Sequence, residues 1–132
     1  MYSYTPGGLI TGKRLRIWAR NKDLNVKYTH NNEGQMLTVT YPDTFADGET
    51  VWGARYTMTY NGMGQPSHMT RFADGGESVL VNSVLYGAAG QVVNFDGEIR
   101  AYNSRLQLTS ITGAGVNMEY RYSATQNNGK IT

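Results

Sequence analysis

The chain has 132 residues, enough for one domain or for a piece of a larger one, and its formal net charge of +2 gives no argument for nucleic acid or a charged membrane as partner. It contains no cysteine, which excludes disulfides, thiolate metal sites and a cysteine nucleophile. Ten tyrosines and sixteen glycines favour strands and tight turns, so we expect an all-β fold. No apolar run approaches the roughly 18 residues of a membrane span, and the polar start is not typical of a signal peptide.

The beginning of the chain predicts a short hairpin followed by a basic strand. Tyr2 and Tyr4 lie before a Pro-Gly-Gly turn at 6–8. In residues 14–20 apolar and polar side chains alternate with the period of a strand, so one face is expected to carry three arginines and a tryptophan. These four residues are Arg14, Arg16, Trp18 and Arg20. A second alternating strand is expected at 24–28.

The middle of the chain continues this alternation, with one longer connection. Strands are expected at 37–41 and 56–60. The segment 42–54 between them has acids but no base and predicts a surface loop, with a turn at 46–48 and a short strand around residues 51–52. Its acids are Asp43, Asp47 and Glu49.

The second half predicts further hairpins, with Asp-Gly turns at 74–75 and 96–97. The uncharged, β-branched run 79–86 is expected to form one central strand. In 106–112 the apolar alternation changes parity, which predicts a β-bulge. The connections are short and no linker interrupts them, so we expect one meander of antiparallel hairpins over residues 1–132, as part of a longer chain.

A short motif recurs along this meander. Residues 60–65 read Tyr-Asn-Gly-Met-Gly-Gln and residues 86–91 read Tyr-Gly-Ala-Ala-Gly-Gln, each at the end of an alternating run. With looser copies the motif occurs about six times, which indicates an internal repeat. The predicted motif residues are Tyr4, Gly8, Tyr28, Gly34, Tyr60, Gly64, Tyr86, Gly90, Tyr102, Arg105, Tyr122 and Gly129.

On these motifs the chain resembles the Rhs or YD-repeat family, which includes bacterial Rhs and Tc-toxin C proteins and animal teneurins. The resemblance implies a twisted sheet of hairpins that forms a segment of a spiralling hollow shell. It also implies two partners, the remainder of a longer parent chain and an enclosed polypeptide cargo, and a secreted or cell-surface parent protein. The family's usual Asp after the repeat tyrosine is absent, and the turn-forming residues that replace it keep the expected fold. They are Thr5, Asn61, Gly87, Asn103 and Ser123.

The titratable residues give little sign of catalysis or metal binding. His30 and His68 lie at predicted turns without the spacing of a metal site. Glycosidases use a pair of carboxylates for catalysis, and such pairs occur here at 74–77 and 96–98. However, these residue types are also common in hairpin turns for conformational reasons. We therefore predict no catalytic, metal or cofactor residue.

The basic strand face at 14–20 and the tyrosines each have a functional interpretation and a structural one. Arginine and tryptophan together are suited to binding an anion or a glycan, whereas a solvated face balanced by the acidic segment 42–54 needs no ligand. The tyrosines are suited to stacking on sugars, or to a structural ladder across strands.

Three hypotheses follow for the function. The first is a non-enzymatic structural segment of an Rhs/YD-repeat protein, which extends or encloses. The second is a carbohydrate-binding β-module. The third is self-assembly into a homo-oligomer through the end strands of the sheet, because an unpaired strand edge is a template for another copy.

Overall fold

The computed structural model describes residues 1–46, 48–113, 115–125 and 127–131. Asp47 lies outside the described residues, and both the predicted turn at 46–48 and the predicted acidic loop include it. Thr132, at the end of the last predicted strand, also lies outside them. The described residues contain no helix long and apolar enough to cross a membrane.

The chain folds into antiparallel strands with one short 3-10 helix at Trp18–Arg20, which confirms the predicted all-β fold of consecutive hairpins. It divides into two compact units, Met1–Leu80 and Val81–Thr132. Strands form because the sequence is rich in Thr, Val, Ile and Tyr, which favour strands, and because apolar and polar side chains alternate over most of it.

The first unit contains a seven-stranded sheet and a separate two-stranded one. The order in the large sheet is β1-β2-β3-β4-β7-β8-β9, with β5 and β6 paired to each other as an excursion between β4 and β7. The strands are β1 (Tyr2–Tyr4), β2 (Ile10–Ile17), β3 (Lys22–His30), β4 (Met36–Thr40), β5 (Thr44–Ala46), β6 (Glu49–Val51), β7 (Arg55–Tyr60), β8 (Pro66–Ala73) and β9 (Gly76–Val81).

The second unit contains a five-stranded meander in the order β10-β11-β12-β13-β14. Its strands are β10 (Val84–Tyr86), β11 (Val92–Phe95), β12 (Glu98–Tyr102), β13 (Leu108–Gly113) and β14 (Val116–Glu119). An isolated bridge between Tyr122 and Ile131 follows the last strand.

The two faces of the seven-stranded sheet differ sharply in polarity. Register places Tyr28 opposite Val39, and Val39 opposite Tyr56, on an apolar face. The other face carries a straight row of four threonines across β3, β4, β7 and β8. The row consists of Thr29, Thr38, Thr57 and Thr70. Because side chains alternate along a strand, His30 lies on the apolar face with Tyr28, while His68, paired with Thr59, lies on the threonine face.

Little of either unit is buried. Among the described residues the only hydrophobic side chain classed as buried is Val84, at 8% exposed. Large apolar side chains such as Leu15 and Leu85 are more than half exposed, at 57% and 55%. The sheets are single layers whose faces are incompletely covered.

Three details of the predicted strands are wrong. The basic strand β2 ends at Ile17, so Trp18 and Arg20 lie in the 3-10 helix rather than on the strand face. The run 79–86 is two strands, β9 and β10, each at an end of its own sheet, rather than one central strand. The segment 42–54 contains two paired strands, β5 and β6, in place of a loop with one strand; the strand expected around residues 51–52 is β6, which ends at Val51 and leaves out Trp52.

The predicted β-bulge is confirmed. Ala101 pairs with Ser110 while the next residue, Tyr102, pairs with Leu108, so Thr109 is the extra residue in β13. A one-residue shift of this kind returns both apolar sets to the same face.

Candidate functional site

Within the part of the chain that the structure describes, the repeat motifs form five copies of one five-residue connection. We call this connection the repeat turn and number its residues 1 to 5. In every copy residue 1 donates its N–H to the carbonyl of residue 5, and residue 4 donates to the carbonyl of residue 1, over 2.8–3.1 Å. A one-residue register shift follows each copy, where the outgoing strand resumes pairing. The copies span residues 5–9, 31–35, 61–65, 87–91 and 103–107.

Residue 4 of every repeat turn has a positive φ. It is glycine in four copies, for example Gly64 with φ 76°. The fifth copy has Leu106 at this position, with φ 58°. A left-handed conformation costs a residue with a Cβ roughly 1–2 kcal/mol, so this copy of the turn is strained. The predicted motif residue Arg105 precedes it as residue 3.

Residue 1 is asparagine in three copies, and its side chain organises the turn. In the copy at 61–65, Asn61 Oδ1 accepts the backbone N–H groups of Met63 and Gln65, each at 3.0 Å. Asn61 Nδ2 donates to the side-chain Oε1 of Gln65, also at 3.0 Å. Asn31 and Asn103 make the same three contacts in their own turns. The amide satisfies backbone donors that would otherwise be unpaired at the end of the sheet.

The two copies without asparagine keep part of this arrangement. Thr5 Oγ1 accepts the N–H of Leu9 at 3.0 Å. Gly87 has no side chain, and the amide of Gln91 folds into the empty space, where its Oε1 accepts the N–H of Ala89 at 3.1 Å. A Cβ on Gly87 would collide with the side-chain amide of Gln91, so this solution depends on glycine.

The glutamine at residue 5 connects one turn to the next. Gln35 Nε2 donates to the backbone carbonyl of Gly64 in the following turn, at 2.9 Å. In the second unit, Gln107 and Asn127 exchange two side-chain hydrogen bonds of 2.8 Å. These glutamines are absent from the predicted motif residues, although their recurrence after the turn glycine was a signal in the sequence.

Tyrosines at the strand ends make a second connection between neighbouring repeats. Tyr60 donates its hydroxyl to the carbonyl of Met36, at 2.7 Å, and Met36 is the first residue after the preceding turn. Tyr102 and Tyr122 donate to the equivalent carbonyls, those of Val92 at 2.7 Å and Leu108 at 2.9 Å.

Not every predicted tyrosine occupies this strand-end position. Tyr4 and Tyr86 do, by their pairing with Ile10 and Val92. In the second repeat His30, paired with Met36, holds the position, and Tyr28 lies two residues earlier on the same face.

The basic residues near the β2–β3 connection are only partly brought together. Arg14 and Arg16 share Asp23 on the neighbouring strand, with N···O distances of 3.9 and 3.1 Å. Among the described residues, the acid that pairs with these arginines is thus Asp23. Arg16 also donates to Asn21 Oδ1, and its guanidinium lies 5.2 Å from the ring centroid of Trp18. Trp18 is 82% exposed.

The carboxylates considered for catalysis are engaged in structural contacts. Asp96 Oδ1 accepts the N–H of Asn82 at 3.0 Å. Glu98 pairs with Arg100, and their hydrogen bond raises the pKa of the Arg100 guanidinium. Glu77 accepts the hydroxyl of Thr70 at 3.0 Å. The described residues include no group of three or more His, Asp or Glu side chains placed to hold a metal ion.

No family model matches the sequence, and no curated protein is similar enough to count as a relative. Solved structures do match. The crystal structure of TcdB2-TccC3 has a TM-score of 0.73 at 19% identity, over 93% of this chain and 7% of that chain. The complex TcdB2-TccC3-Cdc42 gives 0.71 at 19% identity, over 92% and 7%. TcdB2-TccC3 without its hypervariable C-terminal region gives 0.72 at 18% identity, over 93% and 7%.

The chain therefore has the fold of a small part of the TcdB2-TccC3 Tc-toxin shell, which is built from Rhs/YD repeats. The resemblance seen in the sequence is confirmed at the level of the fold. The chain spans only 7% of the length of the proteins it matches.

We expect Asn31→Ala to lower the free energy of unfolding of the first unit by about 2 kcal/mol, because the N–H groups of Glu33 and Gln35 lose their acceptor. Denaturant unfolding measures the change. Asn32→Ala is the matched control, since the exposed neighbour lies in the same turn, and it should cost less than about 0.5 kcal/mol. Equal losses in the two variants would contradict the assigned role of residue 1.

We expect Leu106→Gly to stabilise the second unit by about 0.5–1 kcal/mol, because relief of the left-handed strain exceeds the extra chain entropy of glycine. Thermal unfolding measures the gain as a rise in Tm. The reciprocal change Gly8→Ala should destabilise the first unit by about 1 kcal/mol, because an added Cβ meets no neighbouring atom and only the backbone strain remains. A lower Tm for Leu106→Gly would show that the leucine side chain contributes more than its backbone costs.

Proposed function

We propose that this chain is a structural, non-enzymatic segment of a longer repeat protein and contributes a stretch of β-sheet wall. The observation that carries the proposal is the set of side-chain links at three of the junctions between repeats, since links of this kind continue a sheet from one hairpin to another. The carboxylates that resemble catalytic pairs make hydrogen bonds within the fold: Asp96 to the N–H of Asn82, Glu98 to Arg100 and Glu77 to Thr70.

The incomplete cover of the sheets supports this proposal. A hairpin with one layer of side chains cannot bury enough apolar surface alone and depends on its neighbours. Here Leu15 and Tyr41, on the apolar side of the large sheet, are 57% and 52% exposed. A segment inside a longer array would find cover in the remainder of the parent chain or in a polypeptide that the array encloses.

The similarity to TcdB2-TccC3 supports the same role, because the matched part belongs to a shell and points to structure rather than chemistry. The sheet order also leaves β1 as an end strand of the seven-stranded sheet. We propose that the preceding part of the parent chain pairs there, and a second copy of this chain is the alternative partner.

Proteolysis of the longer chain tests the structural role. We expect the array to protect both itself and any enclosed polypeptide from a nonspecific protease. The triple variant Asn31→Ala, Asn61→Ala and Asn103→Ala should be cleaved at least about tenfold faster, because local opening follows the lost stability. The matched control is a triple variant at neighbouring turn residues, Asn32→Ala, Met63→Ala and Arg105→Ala. Unchanged cleavage in the triple asparagine variant would count against a wall that depends on these turns.

A second candidate function is recognition of an acidic glycan at the end of the β2–β3 hairpin. Trp18 is specifically suited to stacking, because it is 82% exposed and the Arg16 guanidinium lies 5.2 Å from its ring centroid. Asn21 and Asp23 hold that guanidinium in place. Arg14 and Arg20 would add charge for a sulfate or carboxylate, and the preformed arrangement lowers the entropy cost of binding.

Heparin affinity tests this second function. We expect the double variant Arg14→Ala and Arg20→Ala to bind up to about tenfold more weakly than the wild type, because two surface contacts with an anion are lost. Arg16 is left unchanged because it supports Trp18. The control is Arg105→Ala with Arg121→Ala, which removes the same net charge from the second unit. The glycan function is excluded if the wild type is not retained on heparin at low salt, or if both double variants lose the same heparin affinity.

A further inference from the structure

The junction between the first and second repeat turns lacks both of the polar links that join repeats elsewhere. Leu9 stands at residue 5 in place of glutamine, and its side chain lies beside the next turn: a Cβ added to Gly34 would be 3.8 Å from both Leu9 methyl groups. His30 stands at the strand-end position in place of the linking tyrosine. His30 Nδ1 is buried and has no hydrogen-bond partner among the described residues.

The carbonyl that a linking tyrosine would reach at this junction is that of Ile10. Each linking tyrosine donates its hydroxyl to the backbone carbonyl of the first residue after the preceding turn, as Tyr60 does to Met36. Ile10 holds that position after the turn 5–9, where it pairs with Tyr4. An imidazole is shorter than a phenol and does not occupy the same space.

A cleft opens at this point of the fold. It has a volume of about 480 Å³. Its lining is mostly apolar and aromatic, with backbone contributed at Gly8. The lining residues are Tyr2, Gly8, Leu9, Ile10, Tyr28, His30 and Met36. Ile10 is 39% exposed, so this part of the cleft is accessible from solvent.

We propose that this cleft binds a phenolic ring, which takes the place of the missing tyrosine. The ring packs against Leu9, Tyr28 and Met36, whose thioether is suited to contact with an aromatic edge. The phenol hydroxyl donates to the carbonyl of Ile10. The cleft should prefer a ligand that donates a hydrogen bond, because an apolar ligand would leave the Ile10 carbonyl without a partner.

Clefts of roughly 300–1,000 Å³ are typical of small-molecule sites, and one aromatic ring fills only part of this one. The ligand is therefore either a small substituted phenol or the side chain of a tyrosine carried by a polypeptide. The chemistry of the two is the same, and separate probes distinguish them.

Titration of the full chain with p-cresol tests the proposal, with methionine methyl and backbone amide NMR signals as the readout. We expect saturable shifts at Leu9, Ile10 and Met36 with a Kd on the order of 1 mM, as is usual for so small a ligand. The methyl ether of p-cresol has no donor and should bind about threefold to tenfold more weakly. N-acetyl-tyrosinamide is the probe for a polypeptide side chain: tighter binding than p-cresol assigns the site to a tyrosine, and weaker binding assigns it to a free phenol.

His30→Tyr should abolish p-cresol binding, because the new side chain fills the cleft and supplies the link to Ile10. The matched control is His68→Tyr, the same change on the threonine face of the sheet, which should leave binding unchanged. Because the shifts in the wild-type chain locate the ligand directly, the test does not depend on how the variant folds. Absence of saturable shifts at Leu9, Ile10 and Met36, equal binding of phenol and ether, or undiminished binding by folded His30→Tyr would each overturn the proposal.

Discussion

The structure depends on how the chain satisfies its backbone polar groups where it leaves one strand and enters the next. At a repeat turn, two N–H groups point away from the ladder, and the asparagine at residue 1 accepts both of them through one oxygen. That contact stabilises a backbone path in which residue 4 is left-handed and strand pairing resumes one residue late. The bulge, the left-handed residue 4 and the register shift also occur in the two copies without asparagine, so they belong to the backbone path of the turn, which the asparagine stabilises.

The same contact gives the array its direction. Because the amide of Asn31 donates to Gln35 Oε1, Gln35 Nε2 can point away from its own turn and donate to the carbonyl of Gly64 in the following one. The tyrosine link runs the opposite way, from a strand end back to the residue after the preceding turn. The junction between the turns at 31–35 and 61–65 is therefore closed from both sides. A single-layer sheet without a buried core is stabilised by such contacts between neighbouring repeats.

Local signals in the sequence predicted the fold well where they reflected local geometry. The change of parity between Leu108 and Ile111 predicted the bulge because a parity change has only a few backbone solutions. The break between β9 and β10 was missed because the run 79–86 is uniformly β-prone, and the contact at the break comes from Asp96, fourteen residues away from Asn82. Trp18 and Arg20 followed the alternation of a strand, yet the chain closes there through a short 3-10 turn and Asn21 in a left-handed conformation.

The linking role of the glutamines was the least predictable feature, since it is visible only when two turns lie side by side. It also gives a physical reason for asparagine where the family resemblance leads one to expect aspartate. An aspartate at residue 1 would accept the same two backbone N–H groups, but it has no donor for the glutamine Oε1. The glutamine amide would turn its Nε2 towards the aspartate, which in the copy at 31–35 removes that donor from the carbonyl of Gly64. An Asn–Gln pair satisfies all of these groups without charge. In this chain the asparagine therefore does more than form the turn: Asn31 and Asn103 orient the glutamines that make the onward links.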